Sequence, residues 1–191
     1  MGEGYRMDYL LVSEPMEMTI DAMRPHWALR KFDLWGDSMV IFRGPMNIEP
    51  GDGIDLKEFK KGTIFPKGDI LHFIIEHFGD DLEKGILRQN ILVSITEEKL
   101  GHRIGDSQKI LRWGDDLYDE DRRLTLTAVA PTLVSIKIHL GICIDSDDDA
   151  GFIGISEYFL DANELGEVIG NQYRADIRRL REKCWRMRPV T

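Results

Sequence analysis

From Arg123 to Asp145 the chain alternates apolar and polar residues with a period of two, and this pattern restricts the fold more than any other feature. Leu124, Leu126 and Ala128, then Val134, Ile136, Ile138, Leu140, Ile142 and Ile144, take the even positions. Arg123, Thr125, Thr127, Ser135, Lys137, His139, Gly141, Cys143 and Asp145 take the odd ones. Such a period predicts neighbouring strands with one face on a hydrophobic layer and the other meeting water or a ligand. If both apolar sets share a face, directly opposed residues must have numbers that sum to an even value. A two-residue turn at Pro131–Thr132 breaks that condition, so a three- or five-residue connection, or a bulge, is expected. The simplest register pairs Thr125 with His139 and Arg123 with Gly141. One face then gathers a guanidinium, an ammonium, an imidazole, a thiol and several hydroxyls around a glycine. That set suits a carboxylate or phosphate. Glycine packs poorly in a strand, and a close approach of backbone or ligand would explain Gly141. The plainer reading is the solvent-facing side of a half-buried hairpin.

Other segments give a mixed architecture. Tyr9–Ser13 and Ser38–Arg43 read as strands, with a helix around Ala22–Lys31 kinked or started at Pro25. Residues 44–68 are rich in Gly and Pro and read as an irregular loop with at most a short helix at Leu56–Lys60. Asp69–Phe78 places Leu71, Ile74, Ile75 and Phe78 on one helical stripe behind an N-cap-type Asp. Leu82–Leu100 reads as a second helix ending at Gly101. Lys109–Trp113, Arg123–Ala130, Leu133–Asp145 and Phe152–Ile155 read as strands, and a last helix runs from Asp161 or Asn163 to Trp185. Strands clustered between helices predict an α+β single domain over residues 1–191, a mostly antiparallel sheet with helices packed on one face.

Composition narrows the function classes. The 191 residues carry a formal charge of −9, which argues against binding duplex DNA through phosphate neutralisation. With 42% hydrophobic and 31% charged residues the chain is a globular rather than a disordered or membrane-spanning sequence. Cys143 and Cys184 lie far apart without CxxC spacing, so they read as free thiols, and a cytoplasmic location is expected. Scarce Asn and Gln beside many charges point to a heat-adapted source.

Two resemblances follow from particular stretches. Gly36–Pro45 (GDSMVIFRGP), His72–Phe78, Leu87–Ile95 and Gly114–Tyr118 resemble an uncharacterised archaeal family, domain of unknown function 366, over nearly all the chain. Asp115–Ala130 followed by Ile138–Asp147 resembles the catalytic core of biotin and lipoate protein ligases, related to that of class II aminoacyl-tRNA synthetases. In that alignment Asp116 and Leu117 fall on an Asn-Asp-[Ile/Leu] element, Arg123 on the lysine that contacts the carboxylate and phosphate, and His139-Leu140-Gly141 on a His-Gly element. The resemblance implies ligation or transfer of an acyl group, with ATP and magnesium as co-reactants and a small anionic or acyl ligand. Arg123 would stabilise developing negative charge, His139 would orient it or exchange protons, and Lys137 would assist. Arg43, Asp116, Thr125, Thr127, Gly141 and Cys143 would line the ligand. The chain departs from the superfamily: Arg123 replaces the lysine, Leu126 stands at a glycine position, and no Arg-Arg-x-x-Gly-Gly-Gly loop lies between Arg43 and His72. A binding module without chemistry remains the alternative, and self-association stays open.

Three further groupings compete with that site. His72 and Glu76 share a helical face at i, i+4 and are candidate metal ligands, against the plainer reading of a helix-surface ion pair with a partly buried His77; Asp145, at the head of an acidic run before Gly151, is a candidate for magnesium beside a bound nucleotide, against a solvated hairpin tip. Cys143 beside cations is a candidate thiolate, against a small buried strand residue. Arg174, Arg178, Arg179, Arg181, Lys183, Arg186 and Arg188 face only Asp176 and Glu182 in the last segment. That basic helix docks on the chain's own acidic surface, places favourable charge at a helix C-terminus, or contacts RNA or phosphate.

Overall fold

The computed structural model describes residues 5–49, 52, 54, 56, 60, 62, 64–105 and 110–190. In chain order these form β1 (Asp8–Leu11), β2 (Met18–Thr19), a 3-10 turn Ile20–Met23, α1 (Trp27–Phe32), β3 (Ser38–Gly44), β4 (Met46–Asn47) and β5 (Ile70–Phe78). There follow α2 (Leu82–Ile104), β6 (Ile110–Trp113), β7 (Asp116–Asp119), β8 (Arg122–Arg123), β9 (Thr125–Pro131), β10 (Ser135–Cys143) and α3 (Ala162–Arg186). The main sheet runs β1-β3-β5-β10-β9, with β1 parallel to β3 and the other neighbours antiparallel. The fold is therefore α+β with a mostly antiparallel sheet. Much of the short-helix segment expected at Leu56–Lys60, and the start of the strand expected at Lys109, lie outside the described residues.

The segment read as a helix from Asp69 is instead β5, the central strand. Both of its faces are buried from Ile70 to His77, so no apolar–polar alternation survives to mark it. Leu71, Phe73 and Ile75 point to one hydrophobic cluster while Ile74 joins another, and His72 and Glu76 share the second face. A spacing of four places residues on one face of a strand as well as of a helix, so the pattern alone does not separate the two. The segment Phe152–Ile155 forms isolated bridges at Phe152 and then a 3-10 turn, not a strand.

Two long helices cover one face. Asp81 and Asp161 cap them by accepting the Lys84 amide at 2.9 Å and the Glu164 amide at 2.7 Å. α2 runs through Gly101 and ends at Gly105, whose φ of 79° suits glycine. Leu92, Leu165, Ile169 and Tyr173 pack from these helices onto Ile136, Ile138, Leu140 and Ile142. Each such buried side chain contributes about 1.5–3 kcal/mol.

The opposite face is covered too, by the 3-10 turn, α1 and the small parallel β2–β4 ribbon. This second cover changes the register. Ala128 opposes His139, Leu126 opposes Gly141 and Thr125 opposes Ile142. Opposed numbers thus sum to an odd value, and Thr132 and Ser135 close a tight connection by backbone bonding at 2.8 Å. The expected pairs Thr125–His139 and Arg123–Gly141 do not form. The apolar side chains of β9 need not join those of β10, because Leu126 finds its own hydrophobic neighbours in Ile70, Cys143 and Phe152.

Candidate functional site

Between the sheet and its second cover lies a partly open hollow. Met18, Met23 and Met46 come from the cover, Phe65 from the loop before β5, and Leu126 and Ala128 from β9. Polar groups are few: Arg123, Thr127 and His139, with Asp52 bringing a carboxylate to the wall. An apolar cleft with a small number of placed polar groups is the usual form of a small-molecule site.

Arg123 ends the short strand β8, where its backbone N–H donates to Gly151 and its carbonyl accepts from Ile153. Its guanidinium Nε donates to the Thr125 carbonyl at 2.9 Å and its Nη2 pairs with Asp116. About a fifth of the side chain stays exposed. Burial raises the Asp116 carboxyl above its ordinary range, while the Arg123 charge pulls it down. Asp116 therefore orients Arg123 rather than lining the hollow. Thr125 is fully buried and serves the same pair: its hydroxyl donates to Asp116 at 3.3 Å and accepts the Leu117 amide at 2.9 Å. Thr125 faces away from His139, which corrects its expected place beside the ligand. Thr127 contributes to the wall, its hydroxyl donating to the Asp115 carbonyl at 3.2 Å.

His139 is nearly buried and makes one side-chain contact that the sequence did not suggest. Its Nε2 lies 3.1 Å from Nδ1 of His72, whose Nε2 lies 3.0 Å from the Gly44 carbonyl. Burial pushes His139 down to about 4 and holds His72 well below the ordinary imidazole range, so both rings are neutral at pH 7. Gly141 is the close-approach position: a Cβ there would sit 3.0 Å from Ile70 and 3.4 Å from the His139 ring. Protein side chains occupy that space, so no ligand is required to explain the glycine.

Other expected site residues fall elsewhere. Lys137 points to the same face, but its ammonium is fully buried, 3.3 Å from Glu76 and over the Trp27 ring. Burial lowers its pKa and Glu76 resists that shift. Glu76 also accepts the Ser135 hydroxyl at 2.7 Å and the His26 amide at 2.9 and 3.1 Å. Arg43 pairs with Leu71, so the pleat turns it toward the helix face and away from Arg123. Cys143 is buried among Ile70, Leu126 and Phe152, and burial pushes its thiol up to about 12, the reverse of an activated thiolate. Asp145 accepts the Asp69 amide at 3.0 Å. His72, Glu76 and Asp145 are thus separately engaged, and no group of three His, Cys, Asp or Glu converges among the described residues.

The basic last helix docks in part on the chain's own surface. Arg181 lies 3.4 Å from Asp80 and 3.7 Å from Asp37, and Arg174 donates to the Met7 carbonyl and covers the Tyr9 ring. Among the described residues no helix is long and apolar enough to cross a membrane.

The hollow's methionines were not legible as site residues, and His72 was legible as a metal candidate but not as the partner of His139, because these groups come from separate elements brought together only by the fold. Comparison with known proteins gives this geometry a context. The family model described as Domain of unknown function (DUF366) matches residues 7–188. An uncharacterized protein of Methanocaldococcus jannaschii is 32% identical over 96% of this chain and 86% of its own length. A protein of unknown function from Pyrococcus horikoshii superposes with a TM-score of 0.86 at 28% identity, covering 97% of this chain and all of that one. A biotin protein ligase from Aquifex aeolicus, in complex with biotin and ATP, superposes at 0.64 and 11% identity over 92% of this chain and 72% of its own. A putative lipoate protein ligase from T. acidophilum with bound lipoic acid gives 0.52 and 13% over 90% and 85%. The fold is that of the biotin and lipoate ligase catalytic domains.

Proposed function

We propose, from the premise that this chain belongs to the DUF366 family, that it binds a small carboxylic acid with an aliphatic body, or its adenylate, in the hollow between Arg123 and His139. One observation carries the reading: apolar walls and a guanidinium held in place by Asp116 belong to the same cleft. The walls would take the aliphatic body by burying apolar area. Arg123 would take the carboxylate or phosphate through charge-assisted hydrogen bonds, and would offset negative charge as an acyl-adenylate forms. The ligases that share this fold were solved with biotin and ATP and with lipoic acid, ligands of this chemical class. As a small-ligand site this needs no cation from Lys137 and no thiolate from Cys143.

A second reading, binding without turnover, is favoured by the same two residues: Lys137 is committed to Glu76, and Cys143 is protonated and buried. Pyrophosphate exchange into ATP with a panel of short acyl, lipoyl and biotinyl acids separates the two. Exchange dependent on one acid supports ligation. Calorimetric binding without exchange supports the module. In either case Arg123→Ala should weaken acid binding at least roughly tenfold, and unchanged affinity removes Arg123 from the site.

A further inference from the structure

We infer that Nδ1 of His139 is a fixed hydrogen-bond acceptor facing the hollow, so that the acid bound there carries a hydroxyl or N–H donor along its body, and that His72 is the positioning residue that sets this preference. The ligand class rests on the carboxylic-acid reading above; the state of the imidazole pair does not.

One carbonyl sets the hydrogens on both rings. The Gly44 oxygen can only accept, so His72 Nε2, at 3.0 Å, must carry the hydrogen. In a neutral ring Nδ1 is then the lone-pair nitrogen, and it faces Nε2 of His139 at 3.1 Å. That Nε2 must donate, which leaves Nδ1 of His139 without a hydrogen. The rings are 0% and 4% exposed, and burial disfavours the cation that would put hydrogens on both nitrogens. Neither ring is free to turn. Phe42 lies against His72 with centroids 4.9 Å apart, and the two imidazoles meet edge to edge through their hydrogen bond, centroids 5.3 Å apart. Among the described residues Nδ1 of His139 has no hydrogen-bond partner, although the ring lines a mostly apolar hollow. A donor from the ligand would satisfy it, whereas a carbonyl oxygen there would set lone pair against lone pair. A site built to hydrogen-bond one group rejects the analogue that lacks it more strongly than apolar contact does.

Two measurements on the full chain test this. Nitrogen-15 spectra of the labelled protein at pH 7 should show His139 protonated at Nε2 and bare at Nδ1. A hydrogen on Nδ1 overturns the inference whatever the ligand. Calorimetry with octanoate and a positional series of hydroxyoctanoates and oxo-octanoates reads the preference directly. At one position, or two adjacent ones, the hydroxy acid should bind roughly tenfold tighter than its oxo counterpart. His72→Gln, whose amide also offers one donor and one acceptor, should keep that ratio, and His72→Phe should bring it near unity. Equal affinities at every position, with octanoate still bound and still lost in Arg123→Ala, overturn the inference and leave the carboxylic-acid reading standing. Failure of every acid to bind overturns both that reading and the ligand class drawn from it.

Discussion

Asp116 grips Arg123 at the edge of the hollow: one carboxylate oxygen meets the guanidinium Nη2 and the other accepts the Thr125 hydroxyl at 3.3 Å. The pair sits on the β7–β8 side, while the walls come from β9 and the cover, so orientation and enclosure have separate sources. Asp116→Ala should let the guanidinium swing and weaken octanoate binding about tenfold, read by calorimetry. Unchanged binding would mean that Arg123 needs no such anchor.

Lys137 gives the opposite expectation. Breaking a buried ion pair by removing one partner leaves an uncompensated charge, at a cost of about 3–5 kcal/mol. Lys137→Met should lower stability in urea by a few kcal/mol while acid affinity stays within error. Loss of affinity in a folded variant would return Lys137 to the ligand.

Gly44 joins strand geometry to the imidazole pair. Its φ is 153°, and a Cβ there would lie 2.2 Å from the Met16 carbonyl oxygen, which is backbone and cannot turn aside. Gly44→Ala should destabilise the chain by about 2 kcal/mol or more, and should alter the His72 nitrogen-15 shifts as its carbonyl partner moves.

Acid sensitivity follows from the histidines. His139, His72 and His77 all have folded pKa values lowered by burial, against about 6.5 in the unfolded chain. The unfolded state therefore binds more protons below pH 6.5. Their stability contribution is complete above that pH and is lost as pH falls from about 6.5 toward 4, the folded value for His139. Each histidine contributes a slope of up to about 1.4 kcal/mol per pH unit in that window. Urea midpoints at pH 7, 6 and 5 should fall accordingly, and His139→Gln should flatten the curve.

Asp37 acts in a lower window. Burial opposes its ionised form, but hydrogen bonds from His77, Tyr5 and the Phe78 amide outweigh that and hold the carboxyl at about 2. Its contribution is present above the unfolded value of about 3.9 and is lost as pH falls toward 2. Tyr173→Phe removes the only donor to His77 Nε2 among the described residues, at 2.9 Å, and should cost about 1–3 kcal/mol in urea.

Much of the fold was legible wherever one face of an element is wet or plainly amphipathic. The α3 boundary at Asp161, the β3 strand and the apolar side of β10 all follow from local pattern. The failures share one cause, the second cover. Burial of both faces of β5 erased its alternation, and hydrophobic contacts on both faces of β9 removed the reason to demand an even register. Of the site, Arg123 and His139 do line one hollow, but through a different register from the expected one. Lys137, Thr125 and Arg43 could not be assigned from strand parity alone, since parity gives a face and not a partner.

The β2–β4 ribbon that roofs the hollow has two residues in each strand and is tethered by the Met16 and Met18 amides to Arg43 and Pro45. So short a ladder has little cohesion of its own, and its amides should exchange with solvent sooner than those of β5. A guest seated beneath Met18 and Met46 becomes part of the scaffolding, so that occupancy and tightening of the lintel are one event, visible as slowed deuterium uptake there.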